Sequence, residues 1–281
     1  MATVGELVRE GREALRRAGR QDAGRESALL LGSLLACGEA QLLARDREAV
    51  APETESRYRE RLARRAVGEP VAYLVGHREF FGRTFAVDDR VLVPRPETEH
   101  LVELALDLPL PAAGRVLDLG TGSGCIAVTL AAERPAWEVI ATDLSVDALT
   151  VARMNARRHA VADRVRPLAA DLTAGLALAR FDLVVANPPY VEEEVLPHLS
   201  PDVRDFEPRV ALVGGARGTE TLERLIDELA ALAAGAWIVL EVGFGQADRV
   251  AALAAAGPFD RIATRPDLSG IERNVVFRRR A

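Results

Sequence analysis

The chain contains no lysine: all 36 of its basic residues are arginine. That excludes a Walker-type phosphate lysine and any Schiff-base lysine. Cysteine is almost as scarce. Cys37 and Cys125 stand far apart and form no metal-ligand pair, so no metal site is expected and a cytosolic protein with reduced thiols is the default. No window approaches 18 uninterrupted apolar residues, which argues against a membrane span. The opening MATVGELVREGREALRRAGR alternates charged and apolar positions and lacks the apolar core of a secretory signal. A cytoplasmic protein is therefore expected. An excess of positive charge is missing too. The net charge is −6, opposite in sign to that of proteins that grip a nucleic-acid backbone by charge, so no direct nucleic-acid binding is expected.

What is present is globular composition. The 281 residues are 49% hydrophobic and 28% charged, which excludes a disordered or fibrous chain and suits one large or two ordinary domains. Residues 1–76 read as a separate helical domain. Leu7, Ala14, Leu15 and Ala18 recur at helical spacing, residues 28–36 are strongly apolar, and Tyr58, Leu62 and Ala66 form a further helical set. Gly19, Gly38 and Pro52 punctuate them. The cluster Arg57, Arg59, Arg61, Arg64 and Arg65 reads first as a solvated helix face and second as a surface for a partner.

Residues 77–93 hold two short β-type runs around Asp88-Asp89, read as a hairpin linking two domains. Pro94, Pro96 and Glu97-Thr98-Glu99 then open a helix. From there to residue 281, strands alternate with helices. Strands are expected at 115–119, 138–142, 165–169, 181–186, 236–242 and 274–278, with alanine-rich helix at 229–236 and 250–257. Such alternation means right-handed crossovers and a parallel sheet.

Three motifs carry chemistry. The first is Leu117-Asp118-Leu119-Gly120-Thr121-Gly122-Ser123-Gly124, a buried strand running into glycines and a helix N-terminus. Its glycines also satisfy a dinucleotide pattern, but Asp118 would repel a pyrophosphate and suits a cationic or ammonium-bearing ligand. The second is Asp143, 19 residues beyond Gly124, able to accept both hydroxyls of a ribose. The third is Asn187-Pro188-Pro189-Tyr190 after the fourth strand. Two prolines stiffen the backbone and remove two N–H donors. The Asn187 oxygen and the Pro188 carbonyl can then accept both hydrogens of one planar –NH2 group, with the Tyr190 ring as a stacking face. All three lie at carboxyl ends of parallel strands, where α/β sheets place ligands. A cationic sulfonium cofactor beside a nitrogen nucleophile, and hence methyl transfer, is the chemistry this suggests.

Together these motifs resemble the class I S-adenosylmethionine-dependent methyltransferases that modify planar nitrogen groups. The resemblance sharpens with Pro70-Val71-Ala72-Tyr73-Leu74, Glu79-Phe80-Phe81-Gly82, and the run from Val91-Leu92-Val93-Pro94 to Glu99. Phe206-Glu207-Pro208, Ala211-Leu212, Gly214-Gly215, and Glu241-Val242-Gly243 with Gln246 add to it. From about residue 70 onward the chain is similar to the PrmC or HemK family. The resemblance implies a Rossmann-like, mostly parallel sheet with an antiparallel last strand, behind a small all-helical N-terminal domain and a β-hairpin linker. It implies N5-methylation of the glutamine in the Gly-Gly-Gln motif of peptide chain release factors, by a monomer. S-adenosylmethionine would be the cofactor and S-adenosylhomocysteine the product. By position, cofactor contacts fall at Gly120, Thr121, Gly122, Ser123, Gly124, Asp143, Asp171, Leu172 and Asn187. Catalytic and substrate contacts fall at Asn187, Pro188, Pro189 and Tyr190, with Arg95 and Thr98 lining the crevice. Leu172 stands where the family often has an aromatic residue.

Other readings differ in target or in kind. The amide of a ribosomal-protein glutamine or an adenine amino group would suit the same loop. A binding module without catalysis leaves the NPPY loop without a purpose, and a Rossmann oxidoreductase is opposed by Asp118.

Overall fold

The computed structural model describes residues 1–267 and 270–281. The chain divides into two compact units, Met1–His77 with Ser200–Phe206, and Arg78–Leu199 with Glu207–Ala281.

The first unit is helical: α1 (Val4–Arg17), α2 (Ala23–Leu35), α3 (Glu39–Ala44), α4 (Pro52–Ala66) and α5 (Val71–Val75). Helix α1 starts at a capping box. The Thr3 hydroxyl accepts from the Glu6 N–H at 3.3 Å, and the Glu6 carboxylate accepts from the Thr3 N–H at 2.8 Å. Pro52 opens α4, because its fixed φ and missing N–H suit the first turn of a helix. Leu7, Leu15, Leu30, Leu31, Tyr58 and Leu62 fill the core, and the Tyr58 hydroxyl donates to the Leu7 carbonyl at 3.1 Å.

The arginine cluster on α4 is largely committed within this unit. Arg59 pairs with Glu10, Arg64 with Glu69, and Arg61 donates to Ser33. Arg65 is buried. It grips Glu26 through two bonds of 2.9 and 2.7 Å and donates to the carbonyls of Gly68 and Glu69. Arg57, Arg59 and Arg64 are exposed, as a solvated helix face expects, while Arg61 is half-buried and Arg65 turns into the core.

The remaining elements in chain order begin with β1 (His77–Phe80), β2 (Arg83–Ala86), α6 (Glu97–Asp107), β3 (Arg115–Leu119), α7 (Cys125–Glu133), β4 (Glu138–Asp143) and α8 (Val146–Arg158). Next come β5 (Val165–Ala169), β6 (Leu183–Ala186), β7 (Val191–Glu192), α9 (Pro201–Arg204, within the first unit), α10 (Arg209–Leu212) and β8 (Val213–Gly215). The chain ends through α11 (Glu220–Leu229), β9 (Trp237–Glu241), α12 (Ala247–Ala256), β10 (Phe259–Pro266) and β11 (Glu272–Arg279).

Seven strands form one sheet in the order β10-β11-β9-β6-β3-β4-β5. The five from β9 to β5 run parallel, and β11 is antiparallel to both β9 and β10. Alternate residues of the central strands enter different cores. Val116, Leu183, Val185 and Val239 face one, with α6 and α7. Leu117, Val184, Ile238 and Leu240 face the other, with α11 and α12. The chain steps from β3 outward through β4 to β5, then returns to β6 on the other side of β3. That reversal between β3 and β6 is where ligands bind in open α/β sheets.

The structure corrects three local expectations. The hairpin turns at Phe81-Gly82, not at Asp88-Asp89; both residues have positive φ, at 52° and 67°, as a tight two-residue hairpin turn requires. Asp88 instead accepts from the Arg90 N–H and guanidinium. The alanine-rich segment 230–236 is turn, not helix, and the helix ends before it at Leu229. Strand β10 went unread because it is a charged, mostly exposed edge strand ending in proline, with little apolar alternation to betray it.

Candidate functional site

A cavity of about 730 Å³ opens over the carboxyl ends of β3, β4, β5 and β6. It brings together Gly120, Gly122, Asp143, Asp171, Leu172, Asn187 and Pro189, seven of the residues singled out in the sequence. Its size lies within the range of small-molecule sites.

The glycine turn forms one wall. Gly120 and Gly122 adopt φ of 70° and 53°, and a Cβ at either would project into open space. A side chain there would therefore strain the turn and occupy the cavity. Gly124, at φ 80°, caps α7 against α8, where a Cβ would approach Ala152 to 3.1 Å. Thr121 and Ser123 do not line the cavity; both are buried. The Thr121 hydroxyl donates to Asp118 at 2.6 Å, and the Ser123 carbonyl accepts from Asn155 at 2.8 Å.

Asp118 lies beneath the turn rather than in the crevice. Its Oδ2 accepts from Thr121 and from the Ala127 N–H, its Oδ1 has no partner, and the residue is fully buried. Burial pushes its pKa up to about 7. It holds the loop and presents no charge to a ligand.

Asp143 does face the cavity. Its Oδ2 accepts from the Gly122 N–H at 2.9 Å and its Oδ1 from the Ser145 N–H at 2.8 Å. Burial raises its pKa, opposed by these backbone bonds. Ser145, not Asp143, caps α8, accepting from the Ala148 N–H at 3.1 Å. A carboxylate oxygen has two lone pairs, so Asp143, which lines the cavity, keeps acceptor capacity beyond these backbone bonds. Beyond it, Asp171 pairs with Arg224. Leu172 takes φ of 50°, an unusual conformation for a γ-branched residue and one typical of ligand clamps.

The Asn187–Tyr190 segment is gripped on several sides. Strand β7, which follows it, pairs in parallel with β8. Three glycines permit the close approach. A Cβ on Gly214 would lie 2.4 Å from the Pro189 oxygen, one on Gly218 would lie 2.4 Å from the Tyr190 oxygen, and one on Gly243 would lie 3.1 Å from the Tyr190 ring. Gln246 donates to the Tyr190 carbonyl at 3.0 Å and accepts from the Gly243 N–H at 2.9 Å. Pro188 is buried, while Asn187, Pro189 and Tyr190 are half-buried. Burial lifts the Tyr190 phenol to about 12, so it stays protonated at neutral pH.

Arg95 and Thr98 stand back from the cavity. Arg95 donates to the buried Glu207 at 2.7 Å. Thr98 is buried and accepts from the Asn187 Nδ2 at 3.1 Å. Among the described residues, no group of three or more His, Cys, Asp or Glu could hold a metal, and no helix is long and apolar enough to cross a membrane.

Sequence reasoning assigned no role to Gly214, Gly218, Glu241 or Gln246. Most stood in the quoted motifs, but a glycine that admits a distant carbonyl carries no local pattern.

Known proteins bear on this geometry. Residues 6–76 match the family model described as PrmC N-terminal domain, and residues 98–199 match Methyltransferase small domain. The release factor glutamine methyltransferase of Koribacter versatilis is 42% identical over 254 residues, covering 89% of this chain and 89% of its own. This chain belongs to the release factor glutamine methyltransferase family. The namesake from Nitratidesulfovibrio vulgaris is 41% identical over 283 residues, across 99% of this chain and 96% of its own. Among solved structures, a methyltransferase from Pyrococcus furiosus aligns with a TM-score of 0.55 at 18% identity, over 79% of this chain and 99% of that one. That likeness is one of fold. As a member of the release factor glutamine methyltransferase family, the chain is an enzyme of the methyltransferase class.

Proposed function

We propose that this enzyme transfers the methyl group of S-adenosylmethionine to the side-chain amide nitrogen of the glutamine in the Gly-Gly-Gln motif of release factors. The observation that carries the reading is the Asn187–Tyr190 loop, clamped by Gly214, Gly218 and Gln246 at the rim of the 730 Å³ cavity.

The residues present fit the cofactor. Gly120 and Gly122 leave open space for a ligand against the backbone, and Asp143, in the cavity lining, has acceptor capacity left for a ribose diol. Leu172 offers an apolar face for adenine where an aromatic ring is absent. When bound, the sulfonium supplies an electrophilic methyl group.

The protein's task is then geometric. An amide nitrogen is a poor nucleophile because its lone pair is delocalised. Asn187 Nδ2 is committed to Thr98, which leaves Oδ1 to accept one amide hydrogen while the Pro188 carbonyl accepts the other. Two such bonds fix the nitrogen in line with the methyl group; positioning of this kind supplies roughly 7–11 kcal/mol in favourable cases. They also stabilise positive charge as it develops on nitrogen. Among the described residues, the two carboxylates that line the cavity are both engaged, Asp143 by backbone N–H groups and Asp171 by Arg224, and Asp118 is buried. The proton leaves to solvent after transfer.

The test is methylation of purified release factor with mass mapping of the product. The methyl group is expected on the glutamine amide, and Asn187→Ala should lose turnover while remaining folded. Full turnover by a folded Asn187→Ala variant would remove the loop from the mechanism.

A further inference from the structure

Behind Asn187 lie three buried polar side chains, Thr98, Glu241 and Asn274. Thr98, near the start of α6, accepts from the Asn187 Nδ2 at 3.1 Å, and its hydroxyl lies beside the Glu241 carboxylate, whose pKa it lowers. Glu241 ends β9 and is 1% exposed; its Oε2 has no hydrogen-bond partner. Its cross-strand neighbour on β11 is Asn274, also fully buried, whose side-chain amide finds no partner at either end. Polar groups buried this way are a liability to the fold, and an apolar pair on the α6 face would pack more cheaply. Their retention calls for a role at the neighbouring loop.

A carboxylate only accepts hydrogen bonds. Facing Glu241, the Thr98 hydroxyl must donate to it, so its oxygen must accept from Asn187. That choice decides which end of the Asn187 amide points back toward Thr98. We propose that Glu241 is a positioning residue which, acting through Thr98, holds the Asn187 side chain with its oxygen toward the methyl-accepting amide. The proposal rests on the catalytic reading of Asn187. A protonated Glu241 could instead donate to Thr98, freeing the hydroxyl to donate to Asn187 and turning the amide round. Burial raises the Glu241 pKa to about 7, with Arg273 and Arg95 lowering it and Glu97 raising it; the Tyr190 phenol also feels its charge.

The experiment compares Asn187→Ala, Thr98→Val, Thr98→Ser and Glu241→Gln in steady-state methylation of whole release factor. Cofactor affinity is measured by calorimetry and folding by melting temperature. Thr98→Val should lower kcat by about 10- to 100-fold, the population shift that two ordinary hydrogen bonds can hold, with KM and cofactor affinity unchanged. Thr98→Ser should restore it. The wild-type kcat should fall as pH drops below about 7, and Glu241→Gln should lose that limb. Should Thr98→Val not fold, Thr98→Ala replaces it. A wild-type kcat in folded Thr98→Val, beside a dead Asn187→Ala, overturns the positioning role and leaves the catalytic reading intact. An active Asn187→Ala overturns both.

Discussion

Replacing Gly214 with alanine tests whether the clamp around the Asn187–Tyr190 loop sets the rate. The new Cβ would lie 2.4 Å from the Pro189 carbonyl oxygen, 2.5 Å from the Gly218 carbonyl oxygen and 2.9 Å from the Tyr190 Cα. All three are backbone atoms, so no side-chain rotation relieves the clash. Two of the three belong to the loop itself. Restoring ordinary contact distances moves that loop outward by about 1 Å. Overpacking of this kind costs about 1–3 kcal/mol of stability, a loss of several degrees in melting temperature. A displacement of about 1 Å at a reacting group costs on the order of 10²-fold in rate. Gly120, Gly122 and Asp143 lie on other loops, so cofactor affinity should hold within about twofold of wild type, a change under ~0.5 kcal/mol. Single-turnover methylation and calorimetric titration on the same folded sample separate the two effects. A Gly214→Ala protein that methylates at the wild-type rate would show that the loop tolerates displacement, and the clamp would lose its functional meaning.

Three further outcomes are expected. Asp143→Ala removes the carboxylate that orders Gly122 and Ser145 and is assigned to the ribose; at about 1.5–3 kcal/mol per charged hydrogen bond, cofactor affinity should fall by at least about tenfold, and an unchanged titration would remove Asp143 from the site. Arg65→Ala leaves Glu26 unpaired and two carbonyls without their donor, so denaturant unfolding of the helical unit should show a loss of about 3–5 kcal/mol. Asp118 has a folded pKa near 7 against 3.8 in its unpaired form, so the folded state binds more protons between those values. Stability should therefore decline as pH rises from about 4 to 7, and Asp118→Asn should flatten that decline; an identical slope in both proteins would place the titration elsewhere.

Legibility in the sequence followed the range of the signal. Strands β3, β4, β5, β6, β9 and β11 were readable because apolar runs ended in turn residues, and the doubly wound order follows from strand–helix alternation. The crevice was readable because Gly120 and Asn187 each follow a strand directly and Asp143 ends one. The sequence could not say which way a side chain points once buried. Asp118 looked like a ligand-facing charge, yet it turns under the loop to Thr121 and Ala127. Thr98 looked like a lining residue, yet it backs Asn187. The arginines of α4 read as an outward stripe, and Arg57, Arg59 and Arg64 are exposed, but the burial of Arg65 against Glu26 on another helix was invisible to local periodicity.

Asp118 and Glu241 share one physical situation. Each lies at or near the carboxyl end of a central strand, each is fully buried with one oxygen unpartnered, and burial pushes each up to about 7. Each also has a threonine hydroxyl between it and a loop that faces the cavity: Asp118 accepts from Thr121 in the glycine turn, and Glu241 lies beside Thr98, which accepts from Asn187. An unsatisfied buried acceptor costs about 1–3 kcal/mol, a large fraction of a domain's net stability. Stability alone would remove both carboxylates. The same arrangement at two strand ends means that the rim loops are held by polar groups which never meet a ligand. Variants at Thr121 and Thr98 should therefore act in the same sense: a loss of no more than several degrees in melting temperature, with the protein still folded, while cofactor affinity falls for the first and turnover for the second.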